Sequence, residues 1–386
     1  MRVLVIGVGN PAPTFILRRM LALSTAGVQI TMVIHHDQKV EMPGVQFLRI
    51  GGHLSIGKQI GLLMNALVHP FQFSKLMNLR GELSFSQRIR WGIKYLSLSQ
   101  LQPPSIVHFQ WLASVHEFQW LRHYFNCPFV GSARGSQVTV YPITRSGFRE
   151  HVKTSIQSTD YIHCVSEDIA RACEKLGARR EKLFINYNGI DLTKFHPGTK
   201  HKTDSTFTLI SVGTLMWRKG FMYQLLILKK LVDRNKNVRL LIVGGGPDLE
   251  GLKYTTAALQ LQDHVTFTGN KSEGEVRSLL AESDVYLSTS AAEGLANSVV
   301  EAMACGIPVI AFDCEGMKEV IEDAVTGYIV EWGDIDRCIE HILTLTDDAT
   351  LLLQMGNESH SSIERKFDQN YWTQQMIQKY NEVTNR

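Results

Sequence analysis

The chain has 386 residues, 44% of them hydrophobic and 20% charged, which is too long for one hydrophobic core and too ordinary in composition for a disordered, collagenous or disulfide-framework protein. A net charge of +3 with a pI near 8.4 lacks the concentrated basic excess of a nucleic-acid binder, so no nucleic-acid partner is expected. The six cysteines, Cys127, Cys164, Cys173, Cys305, Cys314 and Cys338, form no CxxC pair and show no metal-ligand spacing, which predicts reduced, buried thiols.

The N-terminal MRVLVIGVGN reads as a strand entering a glycine turn, without the apolar run and cleavage site of a signal peptide. No stretch reaches the roughly 18 uninterrupted apolar residues of a membrane span. A cytoplasmic location is expected, with peripheral contact on the inner face of the plasma membrane as an option. Short β-branched runs then alternate with stretches of helical period: RVLVI at 2, VQITMVI at 28, VQFLRI at 45, SIVHF at 105, PFVGSA at 128 and YIHCVS at 161. After the polar HPGTKHKTDST (196–206) the rhythm restarts with TLISVG at 208, RLLIVGGG at 239, HVTFTG at 264, VYLST at 285, IPVIAF at 307 and GYIV at 327. Strand–helix repetition of this kind predicts parallel sheets covered on both faces. The fold class is therefore α/β, with two doubly wound Rossmann-like domains: residues 1–195, a linker over 196–206, and residues 207–367. Ligands of such sheets bind beyond the carboxyl ends of the strands, so a cleft between the two domains is the expected site.

Several motifs compete for the chemistry. In GVGNPA (7–12), Gly7, Gly9 and Ala12 match a dinucleotide turn and Asp37 ends the second strand, which raises an NAD-dependent oxidoreductase. Asp37 comes later than the fingerprint requires, however, and Pro11 and Pro13 crowd the turn. GGGPDLEGL (244–252) has no Lys-Ser/Thr ending, and its glycines fit a tight turn. Asp334 and Asp336 could form a metal-binding acid pair, but Asp334 also stands where a helix N-cap is wanted. No metal dependence is predicted. Residues 58–94 are basic (Lys58, Lys75, Arg80, Arg88, Arg90 and Lys94 against Glu82) and interleaved with Leu62, Leu63, Met64, Phe71, Phe73, Leu76, Met77 and Trp91. Such a segment either lies on anionic lipid or covers the amino-terminal core with its charges solvated.

The stretch EGLANSVVE (293–301) follows one strand and opens the apolar helical run VVEAMA. Glu293 falls on the loop and Glu301 inside the helix. The first turn, Ala296, Asn297 and Ser298, has no acid, although acids are favoured there, so the helix start is left open to an anion. Gly294 removes a side chain that would block close approach. One carboxylate is placed for hydroxyls at the loop and the other for hydroxyls two turns on, with a phosphate site between them.

Together with SVGTLMWRKG (211–220), LLIVGGGPDLEGL (240–252), VTFTGNKSEGEV (265–276), EGMKEVIEDAVTGYIV (315–330), HCVSEDI (163–169) and NYNGIDLTKFHP (186–197), the stretch EGLANSVVEAMACGIPVIA resembles the family 4 retaining glycosyltransferases of the GT-B fold. SARGSQ (132–137) resembles the branch associated with bacterial exopolysaccharide and colanic-acid assembly.

The resemblance implies donor ribose hydroxyls on Glu301, the transferred sugar on Glu293, and phosphates on the N–H groups of Leu295 and Ala296 beside Gly294 and Asn297. It places Arg218 and Lys219 as a diphosphate clamp, with Gly9 and Asn10 of the first turn and Gly269 and Asn270 also on the donor. The family's customary Gly-Arg is Gly213-Thr214 here, and Arg218 is the candidate replacement. Arg134 stands where the family often has histidine, near sugar or acceptor; otherwise it is a strand-end charge paired with a carboxylate. YWTQQMIQKYNEV (371–383) resembles the terminal helix that returns to the first domain, giving residues 368–386 that role, with a hinge near Gly189 and the linker. The implied activity is a retaining, metal-independent transfer of a hexose from a nucleotide-sugar donor to a saccharide or lipid-linked acceptor, without a cofactor. A sugar-nucleotide epimerase and a catalytically silent scaffold are the further alternatives, the scaffold disfavoured because both glutamates and the Arg-Lys pair are present.

Overall fold

A computed structural model of the chain describes residues 1–9, 11–35, 38, 40–50, 61, 64–198 and 205–385. Asn10, Asp37, Lys58, Leu62, Leu63 and residues 199–204 of the expected linker lie outside the described residues.

The chain divides into two compact units. The first comprises Met1–Val165, Ala170–Asn186 and Thr373–Arg386. Its strands are β1 (Arg2–Ile6), β2 (Gln29–Ile34), β3 (Val45–Arg49), β4 (Ile106–Phe109), β5 (Phe129–Ala133), β6 (Tyr161–Cys164) and β7 (Leu183–Ile185). They pair in parallel in the order β3-β2-β1-β4-β5-β6-β7. Parallel neighbours require crossovers, which the intervening helices supply. The β-branched runs form these strands because both faces are covered, and β4 and β5 are buried at every position. β7 is a strand that the hydrophobic pattern alone misses: three half-buried edge residues leave too short a run. Strand order reverses between β1 and β4, which places a crevice beyond their carboxyl ends.

Val3, Val5, Ile16, Met20, Ile30 and Met32 form much of this core together with Met376, Tyr380 and Val383. These last three lie on one face of the final helix, Gln369–Thr384, at spacings of four and three residues.

The second unit comprises Ser166–Ile169 and Tyr187–Trp372. Its strands are β8 (Phe207–Val212), β9 (Val238–Val243), β10 (Val265–Gly269), β11 (Val285–Ser288), β12 (Val309–Phe312) and β13 (Gly327–Val330), in the order β10-β9-β8-β11-β12-β13. All their pairings are parallel and the order reverses between β8 and β11. Leu209, Leu225, Leu228, Leu240, Ile310, Phe312 and Ile339 lie in its core. Burying each such side chain stabilises by about 1.5–3 kcal/mol.

Among the described residues, no helix is long and apolar enough to cross a membrane. Five cysteines are free and buried as expected, whereas Cys314 is only half-buried.

Candidate active site

The switch point of the second unit is where the expected residues gather. β8 ends at Val212, and the chain turns through Gly213 into a short 3-10 turn, Trp217–Lys219, before Gly220 starts the helix Phe221–Asp233. Gly220 has φ +67°, and a Cβ there would lie 2.0 Å from the Thr289 carbonyl oxygen just past β11. Only glycine allows that approach. It delivers Lys219 to Glu293, and the Lys219 Nζ forms an ion pair with Glu293 Oε1. Ser290 Oγ donates to the same oxygen at 2.8 Å, and the Glu293 residue is only 7% exposed. Burial works against the Lys219 ammonium, but the Glu293 carboxylate outweighs it and holds the lysine pKa above its ordinary value. Burial, and next Glu293, raise the Cys314 thiol, which leaves it a poor nucleophile.

Arg218 places Nε against Met216 Sδ at 3.0 Å, and its carbonyl accepts from the Ala291 N–H at 2.7 Å. Among the described residues no carboxylate pairs with its guanidinium. Gly294, Leu295 and Ala296 are buried and lead into the helix Asn297–Ala304, with Ala296 at the N-cap. Neither this helix nor Phe221–Asp233 has a side-chain cap or an acid in its first turn. Two other helix starts of this unit are closed by side chains, Ser272 and Glu275 forming a capping box and Asp334 accepting from the Arg337 N–H, whereas Thr14–Thr25 and Pro70–Asn78 of the first unit also start without side-chain cap or acid. Asp334 thus has the capping role the sequence allowed. At the two helices of the switch point the first N–H groups meet no side-chain acceptor among the described residues, which leaves them able to bind an anion. Glu301 is half-buried in the second turn of its helix; burial, then its charge, push the Cys305 thiol up to about 12.

Gly269 and Asn270 lie one turn further along the sheet edge. Gly269 accepts from the Gly244 N–H at 2.9 Å, and the Asn270 amide stands 3.3 Å from where a Cβ on Gly245 would be. Gly244 and Gly246 would place Cβ atoms 2.0 and 2.3 Å from the carbonyls of Gly213 and Leu215. The GGG stretch is therefore a turn packed against the turn after β8, as its glycines suggest.

In the first unit, Gly9 and Arg134 both lie near Trp111, which follows β4 at the other switch point. Gly9, with φ +89°, lies beyond β1, and Trp111 stands between it and Arg134. Arg134 follows β5, is 6% exposed and donates from Nε and Nη2 to the carbonyl and side-chain oxygens of Gln110 at 3.0 and 3.1 Å. Its guanidinium also stacks 4.9 Å from the Phe15 ring centre. The carboxylate partner considered from the sequence is replaced by Gln110: no acid pairs with Arg134 among the described residues. Burial lowers its pKa well below the usual arginine value.

In the basic segment three of the charges have partners, while Arg90 is exposed and unpaired among the described residues. Lys75 sits over the Tyr124 ring, Arg80 pairs with Glu82 and Lys94 with Glu117. Its apolar residues divide: Leu76 is fully buried and Phe73, Met77 and Trp91 are half-buried, whereas Leu67, Val68 and Phe71 are 73%, 69% and 80% exposed.

Ser166, Asn188, Ser290, Gly316 and Glu319 also belong to the second unit; all but Ser290 lie in stretches that carry the family resemblance, which gave them no role. The signal that could have found Ser166 is a serine just before an acidic helix start, SED.

Two doubly wound parallel sheets, each with a switch point, are the architecture of the GT-B fold. Models of two families cover the chain, Glycosyltransferase Family 4 over residues 13–194 and glycosyl transferases group 1 over residues 194–361. The chain belongs to this family 4, group 1 lineage of glycosyltransferases. It is 32% identical to an uncharacterized glycosyltransferase of Haemophilus influenzae, over 45% of this chain and 47% of that protein. It is 28% identical to the putative colanic acid biosynthesis glycosyltransferase WcaL of Escherichia coli, over 53% and 52%. The chain thus spans about half the length of these curated relatives. The fold matches sucrose-phosphate synthase of Thermosynechococcus elongatus with TM-score 0.81 at 17% identity, covering 99% of this chain and 98% of that one. It also matches Anabaena HepE in complex with UDP and glucose, with TM-score 0.75 at 15% identity, covering 98% and 99%.

Proposed function

We propose that this protein is a retaining, metal-independent hexosyltransferase that moves a hexose from a nucleoside-diphosphate sugar to a saccharide or lipid-linked acceptor in cell-surface polysaccharide biosynthesis. The observation that carries the reading is the Lys219–Glu293 pair beside a helix start with no acid, with Arg218 free of any carboxylate among the described residues. As the bond from sugar carbon to phosphate oxygen breaks, the diphosphate gains negative charge, and Lys219, Arg218 and the N–H groups of Leu295 and Ala296 stabilise it. Glu293 holds the sugar hydroxyls and Glu301 the ribose hydroxyls. The acceptor oxygen bonds to the sugar carbon on the face the phosphate leaves, and its proton passes to the departing phosphate oxygen. The similarity to WcaL supports a polysaccharide pathway.

Calorimetric titration of UDP, GDP, ADP and NAD into wild type, Glu301→Ala and Lys219→Ala tests the donor site. One nucleoside diphosphate should bind, and both substitutions should weaken it. Binding of NAD alone, indifferent to both, would sink the reading. In turnover, the nucleoside diphosphate should be released and EDTA should leave the rate unchanged, whereas an epimerase would release no nucleotide.

The exposed Leu67, Val68 and Phe71 favour peripheral membrane contact on the cytoplasmic side. Because the exposed apolar side chains would carry the contact, binding to vesicles containing phosphatidylglycerol should persist at high salt and vanish in Phe71→Glu. Unchanged sedimentation of Phe71→Glu would refute the contact.

A further inference from the structure

Ser166 belongs to the second unit and is fully buried. Its hydroxyl works in two directions. Oγ accepts from the Ile169 N–H at 3.2 Å, capping the helix Glu167–Lys175, and donates to the Gly294 carbonyl oxygen at 2.7 Å. Against the same carbonyl stands Gly316, with φ +80°, where a Cβ would lie 2.6 Å from the Gly294 oxygen. The Gly316 N–H donates to Asp168 Oδ2 at 2.8 Å. Glu319 accepts from the N–H groups of Glu167 and Asp168 at 2.8 and 3.0 Å and from the Tyr187 hydroxyl at 2.7 Å. Beyond the turn, Asn188 Nδ2 donates to Asn297 Oδ1 at 2.9 Å.

A trans peptide is planar, so its carbonyl and the following N–H point in opposite directions. With the Gly294 carbonyl held on Ser166, the Leu295 N–H faces away from Ser166, and among the described residues it meets no acceptor. We infer that Ser166 is a positioning residue for the donor diphosphate: with Gly316 as backstop, it fixes the Gly294–Leu295 peptide so that the Leu295 N–H points at the phosphate. This rests on the donor-site reading above.

A plain helix cap needs only an acceptor at this position, and glycine serves there at a cost of only a few tenths of a kcal/mol. The donated bond needs a hydroxyl. Ser166→Gly therefore removes the clamp while sparing the cap, and Ser166→Thr keeps both. Amide exchange over residues 293–297 should quicken in Ser166→Gly and be normal in Ser166→Thr, with β8 and β9 unchanged in either. Affinity for inorganic pyrophosphate, and for whichever of UDP, GDP or ADP binds wild type, should fall about tenfold in Ser166→Gly and return in Ser166→Thr. If Ser166→Gly changes neither exchange nor affinity while Glu301→Ala still weakens nucleotide binding, the inference fails and the donor site stands. If wild type binds no nucleoside diphosphate, the donor site fails and the inference falls with it.

Discussion

Lys219 and Glu293 form a mostly buried pair, with side chains 18% and 9% exposed. Removing one partner leaves the other as a buried, uncompensated charge, which costs roughly 3 kcal/mol. Lys219→Met should therefore lower the melting temperature, and Lys219→Met with Glu293→Gln should recover much of that loss without recovering turnover. A double variant as unstable as the single one would refute the pairing. The pH dependence follows from the raised lysine pKa. A raised folded-state pKa stabilises fully below the unfolded value, about 10.4, and the gain is lost as pH rises through the folded value. Wild type and Lys219→Met should thus differ most in melting temperature at neutral pH and converge only in strongly alkaline buffer. At Gly220, alanine would meet the Thr289 carbonyl, so Gly220→Ala should cost about 1–3 kcal/mol and weaken donor binding in the same titration.

At the scale of elements, the final helix of the first unit is joined to three strands by a buried polar chain. The Tyr380 hydroxyl meets His108 Nδ1, His108 Nε2 meets Ser132 Oγ at 2.9 Å, and Ser132 Oγ meets His163 Nδ1 at 2.8 Å. His163 Nε2 reaches the Asn186 carbonyl at 2.8 Å and Arg19 Nη1 at 2.9 Å. Tyr380→Phe leaves a buried histidine nitrogen without its partner and should cost about 1–3 kcal/mol in urea unfolding. Burial, and next Arg19, hold both histidines well below the ordinary pKa. Below about pH 6.5 the unfolded chain takes up protons that the folded one refuses, so stability falls as pH falls, by up to about 1.4 kcal/mol per pH unit for each histidine. Melting curves between pH 7 and 5 should show this slope, and His163→Gln should flatten it.

For the whole molecule, a nucleoside diphosphate at about 100 times its Kd should add about 2.7 kcal/mol to the unit holding its site. Hydrogen exchange should slow over residues 213–220 and 293–301 and stay unchanged in β2 and β3; protection confined to the first unit would overturn the donor assignment. Much of this was legible in the chain itself. Short β-branched runs separated by helical stretches determined two parallel α/β sheets, since a strand buried on both faces must be apolar along its length. The glutamates of EGLANSVVE, with a glycine after the first and no acid at the helix start, marked the helix start proposed as the anion site, because helix-end electrostatics depend on local sequence. Only the tertiary structure decided the partners. Ser166 reaches Gly294 across 128 residues and Lys219 reaches Glu293 across 74, distances over which periodicity carries no information. It also replaced the carboxylate considered for Arg134 with Gln110, gave Lys75, Arg80 and Lys94 partners, and added β7, because which groups meet is settled by strand order and helix packing rather than by neighbours in sequence.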